Sequence, residues 1–421
     1  MRRLITLCSL PRHRLLFSRP QDGEVAETAA VDDAVEAFFG DEARQLGLSR
    51  LPRSPCRNDS WPAEIATDTM KSFVMRKIGE VAVLDKPVPE PGPNDAVVRT
   101  TTAMICTSDV HTVRGAIPVA PDVTLGHEAV GVVHALGSAV EGLSEGERVA
   151  VGGVTPCFQC EFCQRGLSSQ CEGRMLGGAR FTVRTDGSMA QYFLVNNAQA
   201  NLAPIPETLS DHQALYATDM LSTGFVAAEH AELDFGQTVA VFAQGAVGLS
   251  ATIGCRLRGA GLVIAVESRP ERQELARHFG ADVIVDHTRC DPVERILELT
   301  EGQGVDAAIE ALGTPGTWEA TFRVTKPGGR ISNVGYHGEV PEPLKIPLEP
   351  FGYGMSDKQV YGGLNRGGRE RLRRIFRLME YGRVDPTPMT THEFGFEEVE
   401  RAFGMMEARA DNIIKPLIHF S

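Results

Sequence analysis

The sequence predicts an α/β protein, a β-rich domain joined to a doubly wound parallel sheet, and three observations carry that prediction. From Met70, short β-branched runs such as 96–100 and 129–133 are separated by Gly, Pro and Asn, the pattern of a compact β domain. After about residue 222, apolar strand-like runs at 238–242, 263–266, 283–285, 307–310 and 330–334 alternate with helical stretches, as βα units of a parallel sheet do. A chain of 421 residues with 42% hydrophobic residues is too long for one ordinary core and apolar enough to fill two.

Taken in order, residues 1–69 stand apart. They open with Arg2, Arg3, Arg12, Arg14 and Arg19 before any acid, then turn acidic from Asp22 to Glu42. This stretch faintly resembles a mitochondrial presequence; a disordered tail, or upstream codons ahead of a start at Met70, are the other readings. The expected compartment is cytoplasmic, or mitochondrial if the presequence reading holds. Residues 70–222 form the β-rich domain and 223–364 the sheet domain. Residues 365–421, with an amphipathic stretch at 369–381 and an apolar strand at 413–418, return to the first domain.

Charge and composition exclude several partners. A net charge of −13 repels phosphate backbones, and no run of Lys and Arg interleaved with aromatics offsets it, which argues against nucleic acid and anionic membrane. No stretch reaches the roughly 18 apolar residues of a membrane-spanning helix, so a soluble protein is expected. Nine cysteines in so long a chain do not form a small disulfide scaffold.

Four of those cysteines are Cys157, Cys160, Cys163 and Cys171, spaced so that short loops can close a thiolate tetrahedron around zinc with no open position. Gln159, Glu161, Gln164 and Gly166 between them suit a polar surface lobe rather than a core. A second, scattered set comprises Cys106, the Gly126-His127-Glu128 run and Asp219. A soft sulfur, a nitrogen and a carboxylate could supply three ligands and leave one position for water or substrate. By spacing alone, a structural role for each is an equal alternative.

The run Gly126-His127-Glu128-Ala129-Val130-Gly131 and the four-cysteine lobe resemble the medium-chain dehydrogenase/reductase superfamily from Met70 to the last residue. Within it, the segments 106–112, 218–225 and 332–338 resemble the microbial secondary-alcohol (isopropanol) dehydrogenases. The resemblance implies a GroES-like catalytic domain and a Rossmann cofactor domain. It implies a zinc-dependent enzyme that interconverts secondary alcohols and ketones by hydride transfer with NAD or NADP. It places a catalytic zinc on Cys106, His127 and Asp219 with Glu128 as an exchangeable fourth ligand, Ser108 on the alcohol, and His111 passing the proton towards solvent. Homo-oligomers, a homotetramer in particular, are also implied. Two features depart from the best-known members of that branch. The four lobe cysteines are retained, and Ala179 stands where a Trp usually walls the pocket, which enlarges the space for bulkier ketones. The alternatives are a primary-alcohol or formaldehyde-type dehydrogenase, and a non-catalytic nucleotide-binding protein of the same superfamily.

The dinucleotide loop is expected after strand 238–242, in the run Ala243-Gln244-Gly245-Ala246-Val247-Gly248. Gly245 and Gly248 occupy the second and third fingerprint positions while Ala243 replaces the first glycine; Ala246 and Val247 open the helix whose N–H groups meet the pyrophosphate. At the end of the next strand Glu267 can bond the ribose hydroxyls and repel a 2′-phosphate, whereas Ser268-Arg269 resembles the pair that grips that phosphate. The expectation favours NAD, with NADP as the alternative.

Overall fold

The computed structural model describes residues 68–421. The basic and acidic opening stretch, and the presequence reading attached to it, lie outside the described residues.

Among the described residues the chain begins with β1 (Thr69–Lys77), β2 (Glu80–Pro87) and β3 (Ala96–Met104), followed by the short helix α1 (Thr107–Val113). Then come β4 (Val123–Thr124), β5 (Glu128–Leu136), β6 (Arg148–Val151), α2 (Glu161–Gln164), β7 (Tyr192–Val195), α3 (Ala198–Asn201) and β8 (Leu202–Pro204). Helices α4 (Asp211–Thr218) and α5 (Met220–His230) lead into β9 (Thr238–Phe242), α6 (Ala246–Leu257), β10 (Leu262–Val266), α7 (Pro270–His278), β11 (Val283–Val285) and α8 (Pro292–Leu299). The sheet continues with β12 (Val305–Glu310), α9 (Pro315–Val324), β13 (Thr325–Asn333) and β14 (Gln359–Gly362). The chain closes with α10 (Arg369–Glu380), β15 (Thr390–Gly395), α11 (Val399–Ala408) and β16 (Lys415–His419).

Strands β9 to β14 make a six-stranded sheet in the order β11-β10-β9-β12-β13-β14, every pair parallel. The order reverses between β9 and β12, so loops leaving the carboxyl ends of those strands open a crevice there. Central strands read as continuous apolar runs because helices cover both faces, and Val239 to Phe242 are buried without interruption.

The β-rich part divides into a three-stranded sheet, β2-β1-β4, and a seven-stranded one in which β15-β16-β3-β5-β6-β8 are neighbours and β7 pairs with β3. Strand β16 runs antiparallel to β3, so residues more than 300 positions apart in sequence meet side by side. One apolar core runs from Met104 and Val130 through Tyr216 and Leu221 to Val239 and Ile309. Helices α4 and α5 occupy its centre, and α5 packs so tightly on α6 that a Cβ on Gly224 would lie 2.3 Å from the Ser250 side chain. The residue between α4 and α5 is thereby held on a rigid support.

Candidate metal centres and cofactor cleft

The first cluster is built by three separate segments. Cys106 caps α1 two residues beyond β3, and Glu128 opens β5, whose register sets it opposite Met104. Antiparallel pairing thus brings Cys106 beside His127 and Glu128. Asp219, at the α4–α5 junction, completes the group: one ligand atom from each of Cys106, His127, Glu128 and Asp219 lies within 4.8 Å of the others. Asp219 Oδ1 accepts from Thr223 Oγ1 at 2.6 Å and from Asn365 Nδ2 at 3.4 Å, which leaves Oδ2 facing His127 Nε2 at 3.5 Å. Ser108 Oγ stands 3.4 Å from the same nitrogen.

Sequence reasoning missed three groups that order this cluster. Asp109 is buried; its Oδ2 accepts from the Cys106 N–H at 2.9 Å and its Oδ1 from the Gly126 N–H at 3.1 Å, so one carboxylate ties two loops together. Its position three residues beyond the helix cap was the available signal. Lys415, also buried, donates to Glu128 Oε1 at 2.5 Å and to the Ile105 carbonyl at 3.0 Å. Asn365 arrives from the segment before α10. Nothing local in sequence announces these last two.

The electrostatics favour a cation. Burial opposes ionisation of Asp219, yet the hydrogen bond and charge of His127, with the Thr223 hydroxyl, hold its carboxyl at about 2. Burial also opposes protonation of His127, but Asp219 and Cys106 together raise it well above an ordinary histidine. Burial lifts the Glu128 carboxyl, with Lys415 working against it. Glu128 Oε2 is buried without a partner among the described residues. A sulfur, an imidazole nitrogen, a carboxylate and an orphaned carboxylate oxygen fit a zinc ion with one exchangeable position.

The second cluster gathers Cys157, Cys160, Cys163 and Cys171, again with all four sulfurs within 4.8 Å of one another. Cys157 and Cys163 Sγ are 4.0 Å apart, near the edge of about 3.8 Å that a tetrahedron of Zn–S bonds requires and far from a disulfide. The sulfurs act as acceptors: Cys171 takes the Cys157 N–H at 3.3 Å, Cys157 the N–H groups of Gln159 and Cys160, and Cys160 that of Glu172 at 3.1 Å. The Glu172 amide pulls the Cys160 thiol down to about 6, while burial pushes Cys163 and Cys171 up. A bound metal would hold all four as thiolates, and the set offers no open position.

The cofactor loop lies at the carboxyl end of β9, beside the point where strand order reverses. Gly245 caps α6, followed by Ala246 and Val247 in its first turn, and a Cβ on Gly248 would fall 1.9 Å from the Ala243 carbonyl. Ala243 adopts φ +69°, the left-handed conformation that explains why a glycine is expected there. Glu267 corrects the sequence reading. It is buried, Oε2 accepts the Gln244 N–H at 3.0 Å, and Oε1 accepts those of Ser268 and Arg269 at 2.8 and 3.0 Å. Its carboxylate is turned into the loop rather than projecting from the strand end. Ser268 and Arg269 are half-buried beside it.

His111 lies on α1 three residues after Ser108, and its Nδ1 is 2.7 Å from Glu339 Oε1 in the loop after β13. Ala179 belongs to the loop after the thiolate lobe, its N–H donating to the Leu176 carbonyl.

Known proteins match this arrangement. The Alcohol dehydrogenase GroES-like domain family matches residues 92–207, and the Zinc-binding dehydrogenase family matches 246–380. An alcohol dehydrogenase of Cupriavidus necator is 44% identical over 362 residues, covering 83% of this chain and 98% of its own length. This chain belongs to the zinc-binding alcohol dehydrogenases. The NADP-dependent isopropanol dehydrogenases of Thermoanaerobacter brockii and Clostridium beijerinckii are 44% and 39% identical over 352 and 351 residues, each covering 83% of this chain and 99% of its own. Among solved structures, an alcohol dehydrogenase from Thermus sp. ATN1 superposes with a TM-score of 0.75 at 30% identity, over 84% of this chain and 100% of that one. The zinc-binding dehydrogenase is thus an α/β oxidoreductase that uses zinc and a nicotinamide cofactor. The expectation that NAD is favoured finds no support, since both isopropanol relatives carry NADP in their names. No helix among the described residues is long and apolar enough to cross a membrane.

Proposed function

We propose that this dehydrogenase interconverts secondary alcohols and ketones, with Cys106, His127 and Asp219 holding a catalytic zinc, Glu128 as the exchangeable ligand, and the Cys157, Cys160, Cys163 and Cys171 lobe holding a structural one. The observation that carries the reading is the meeting of four ligand atoms from distant loops beside Ser108. When bound, zinc supplies a Lewis acid for the alcohol or carbonyl oxygen and the nicotinamide supplies the hydride acceptor or donor. Ser108 receives the hydrogen bond of the alcohol, and His111, on the same helix face, carries the released proton towards solvent. The similarity to isopropanol dehydrogenases supports a secondary over a primary alcohol. The small side chain of Ala179 supports acceptance of bulkier ketones.

For the cofactor the reading is NADP(H), bound at Gly245, Ala246, Val247 and Gly248, with Ser268 and Arg269 on the 2′-phosphate. Three N–H donors already engage Glu267, which spreads its charge into the loop. Arg272 adds a cation: its Nη1 is the one neighbour, at 3.9 Å, of a Cβ built on Gly245, and its Nε has no partner among the described residues. A guanidinium beside the glycine turn, anchored by Nη2 donating to the Ile413 carbonyl at 3.5 Å, favours the more anionic cofactor.

A panel of secondary and primary alcohols with NADP⁺ and NAD⁺, together with metal analysis, tests both parts. The expected result is two zinc ions per chain, higher kcat/KM for secondary alcohols and for NADP⁺, and loss of turnover in Cys106→Ala with cofactor binding retained. Full activity of a metal-free protein would overturn the zinc assignment, and tighter binding of 5′-AMP than of 2′,5′-ADP the cofactor one.

A further inference from the structure

Helix α1 carries Ser108 and His111 at i and i+3, and its far end is strapped by the loop that leaves β13. Tyr336 Oη donates to the Ala116 carbonyl at 2.7 Å, and the Tyr336 ring lies 5.2 Å from the His111 ring. Three residues later Glu339 reaches the imidazole, Oε1 to Nδ1, at 2.7 Å. The two side chains differ in exposure, 17% for His111 and 39% for Glu339, so the pair runs from the cleft to water.

The groups facing this pair come from three elements. Arg114, just past α1, places Nη1 3.9 Å from Glu339 Oε1 and its Nε 3.5 Å from Glu407 Oε1. Arg409, just past α11, adds a second positive charge, and Tyr336 faces the imidazole from the loop itself. The hydrogen bond from His111, helped by the charges of Arg114 and Arg409, holds the Glu339 carboxyl below the usual range. Glu339 is therefore ionised at neutral pH, acceptor-only, and can take a hydrogen only from Nδ1–H.

We propose that Glu339 is a positioning residue for proton release. It fixes the neutral His111 ring as the Nδ1–H tautomer, leaves the Nε2 lone pair free, and stabilises the imidazolium that forms. The inference rests on the proposed role of His111 and extends it. In alcohol oxidation the proton freed from the hydroxyl arrives at Nε2, the ring becomes an imidazolium held by the carboxylate, and a solvent base removes the same proton from Nε2. Nδ1–H stays on Glu339 throughout, so one proton enters, one leaves, and the tautomer is restored. A carboxylate that orients a histidine and stabilises its charged form without itself taking the proton is a known solution to this problem. Ketone reduction runs the same path in reverse.

The experiment uses the full-length zinc-loaded enzyme and the variants Glu339→Gln, Glu339→Asp and His111→Gln. For oxidation of a secondary alcohol, kcat is followed against pH, in H₂O and D₂O, with and without added imidazole. Glu339→Gln is expected to lower kcat roughly tenfold, raise the solvent isotope effect and respond to imidazole in proportion to its concentration. Glu339→Asp is expected to retain most of the rate. Cofactor dissociation constants, read by fluorescence, serve as the folding control and should change less than about twofold. With ¹⁵N-labelled protein, the His111 ring signals, assigned by their loss in His111→Gln, are expected to report the Nδ1–H tautomer in the wild type above neutral pH, and a mixture in Glu339→Gln. A rate loss with no change in isotope effect, imidazole response or tautomer would reduce Glu339 to a clip between loops and overturn the proposal. If His111→Gln itself leaves the isotope effect and imidazole response unchanged, the failure lies in the role of His111, and the proposal falls with it.

Discussion

Lys415 Nζ donates to Glu128 Oε1 at 2.5 Å, and both side chains are almost wholly buried, 2% and 0% exposed. The ammonium also bonds the Ile105 carbonyl, so it touches the strand end before Cys106 and the carboxylate after His127 at once. Burial works against the charged form of Lys415, but the charge and hydrogen bond of Glu128, with the charges of Cys106 and Asp219, together more than offset it and hold the ammonium ionised.

Removing one partner of such a pair is expected to be worse than removing both. Lys415→Met should destabilise the fold by about 3 kcal/mol, because the Glu128 carboxylate is left buried and uncompensated. The double variant Lys415→Met with Glu128→Gln should recover most of that loss. Urea denaturation of the four proteins of the cycle measures the coupling. Equal losses in both single variants that simply add would show that the pair does not act as a unit.

The thiolate lobe should be separable from the chemistry. Cys163→Ser is expected to reduce the metal content from two to one per chain and to lower the Tm, with cofactor affinity unchanged. Metal analysis with a thermal scan reads both. Loss of both metals would mean that the two clusters assemble as one.

Ala243 holds φ +69° with a side chain that disfavours it. The left-handed region costs a non-glycine residue roughly 1–2 kcal/mol, partly offset by the greater freedom of glycine in the unfolded chain. Ala243→Gly is therefore expected to stabilise by about 0.5 kcal/mol, with little change in KM for the cofactor. A lower urea midpoint would show instead that the Ala243 methyl packs usefully.

Acid sensitivity should trace in part to His230. Burial, with Arg366 and Arg371 nearby, pushes its imidazole down to about 4 from an ordinary 6.5, and its ring lies 3.8 Å from that of Tyr361. The folded state keeps it neutral where the unfolded chain would protonate it. Its contribution is present in full above pH 6.5 and is lost as pH falls from 6.5 towards 4. His230→Phe should flatten that part of the stability profile, as followed by denaturant midpoints across the range. An unchanged slope would assign the effect to other groups.

Much of this was readable in the sequence, for identifiable reasons. Strands 238–242 and 283–285 were legible to the residue because parallel strands covered on both faces are short, continuous and apolar. The cluster of Cys157, Cys160, Cys163 and Cys171 announces itself because its four sulfurs are close in sequence. Residues 325–329 were missed as the start of β13: Thr325 pairs with Val305, but the poor strand formers Lys326, Pro327, Gly328 and Gly329 bulge out of register before pairing with β12 resumes at Arg330. Glu267 was misjudged because its side-chain direction depends on the Gln244 loop, and strand register alone does not fix it. The link between Glu128 and Lys415 spans 287 positions and exists only because β16 lies against β3. The same is true of His111 and Glu339, 228 positions apart.

That placement of β16 has a consequence for how the enzyme matures. Cys106, His127, Glu128 and Asp219 all precede Lys415 in the chain, so synthesis delivers the Glu128 carboxylate long before its buried ammonium partner. Proper closure waits until the last strand is translated and docks. A polypeptide halted short of Lys415 would lack the ammonium that faces the buried Glu128 carboxylate.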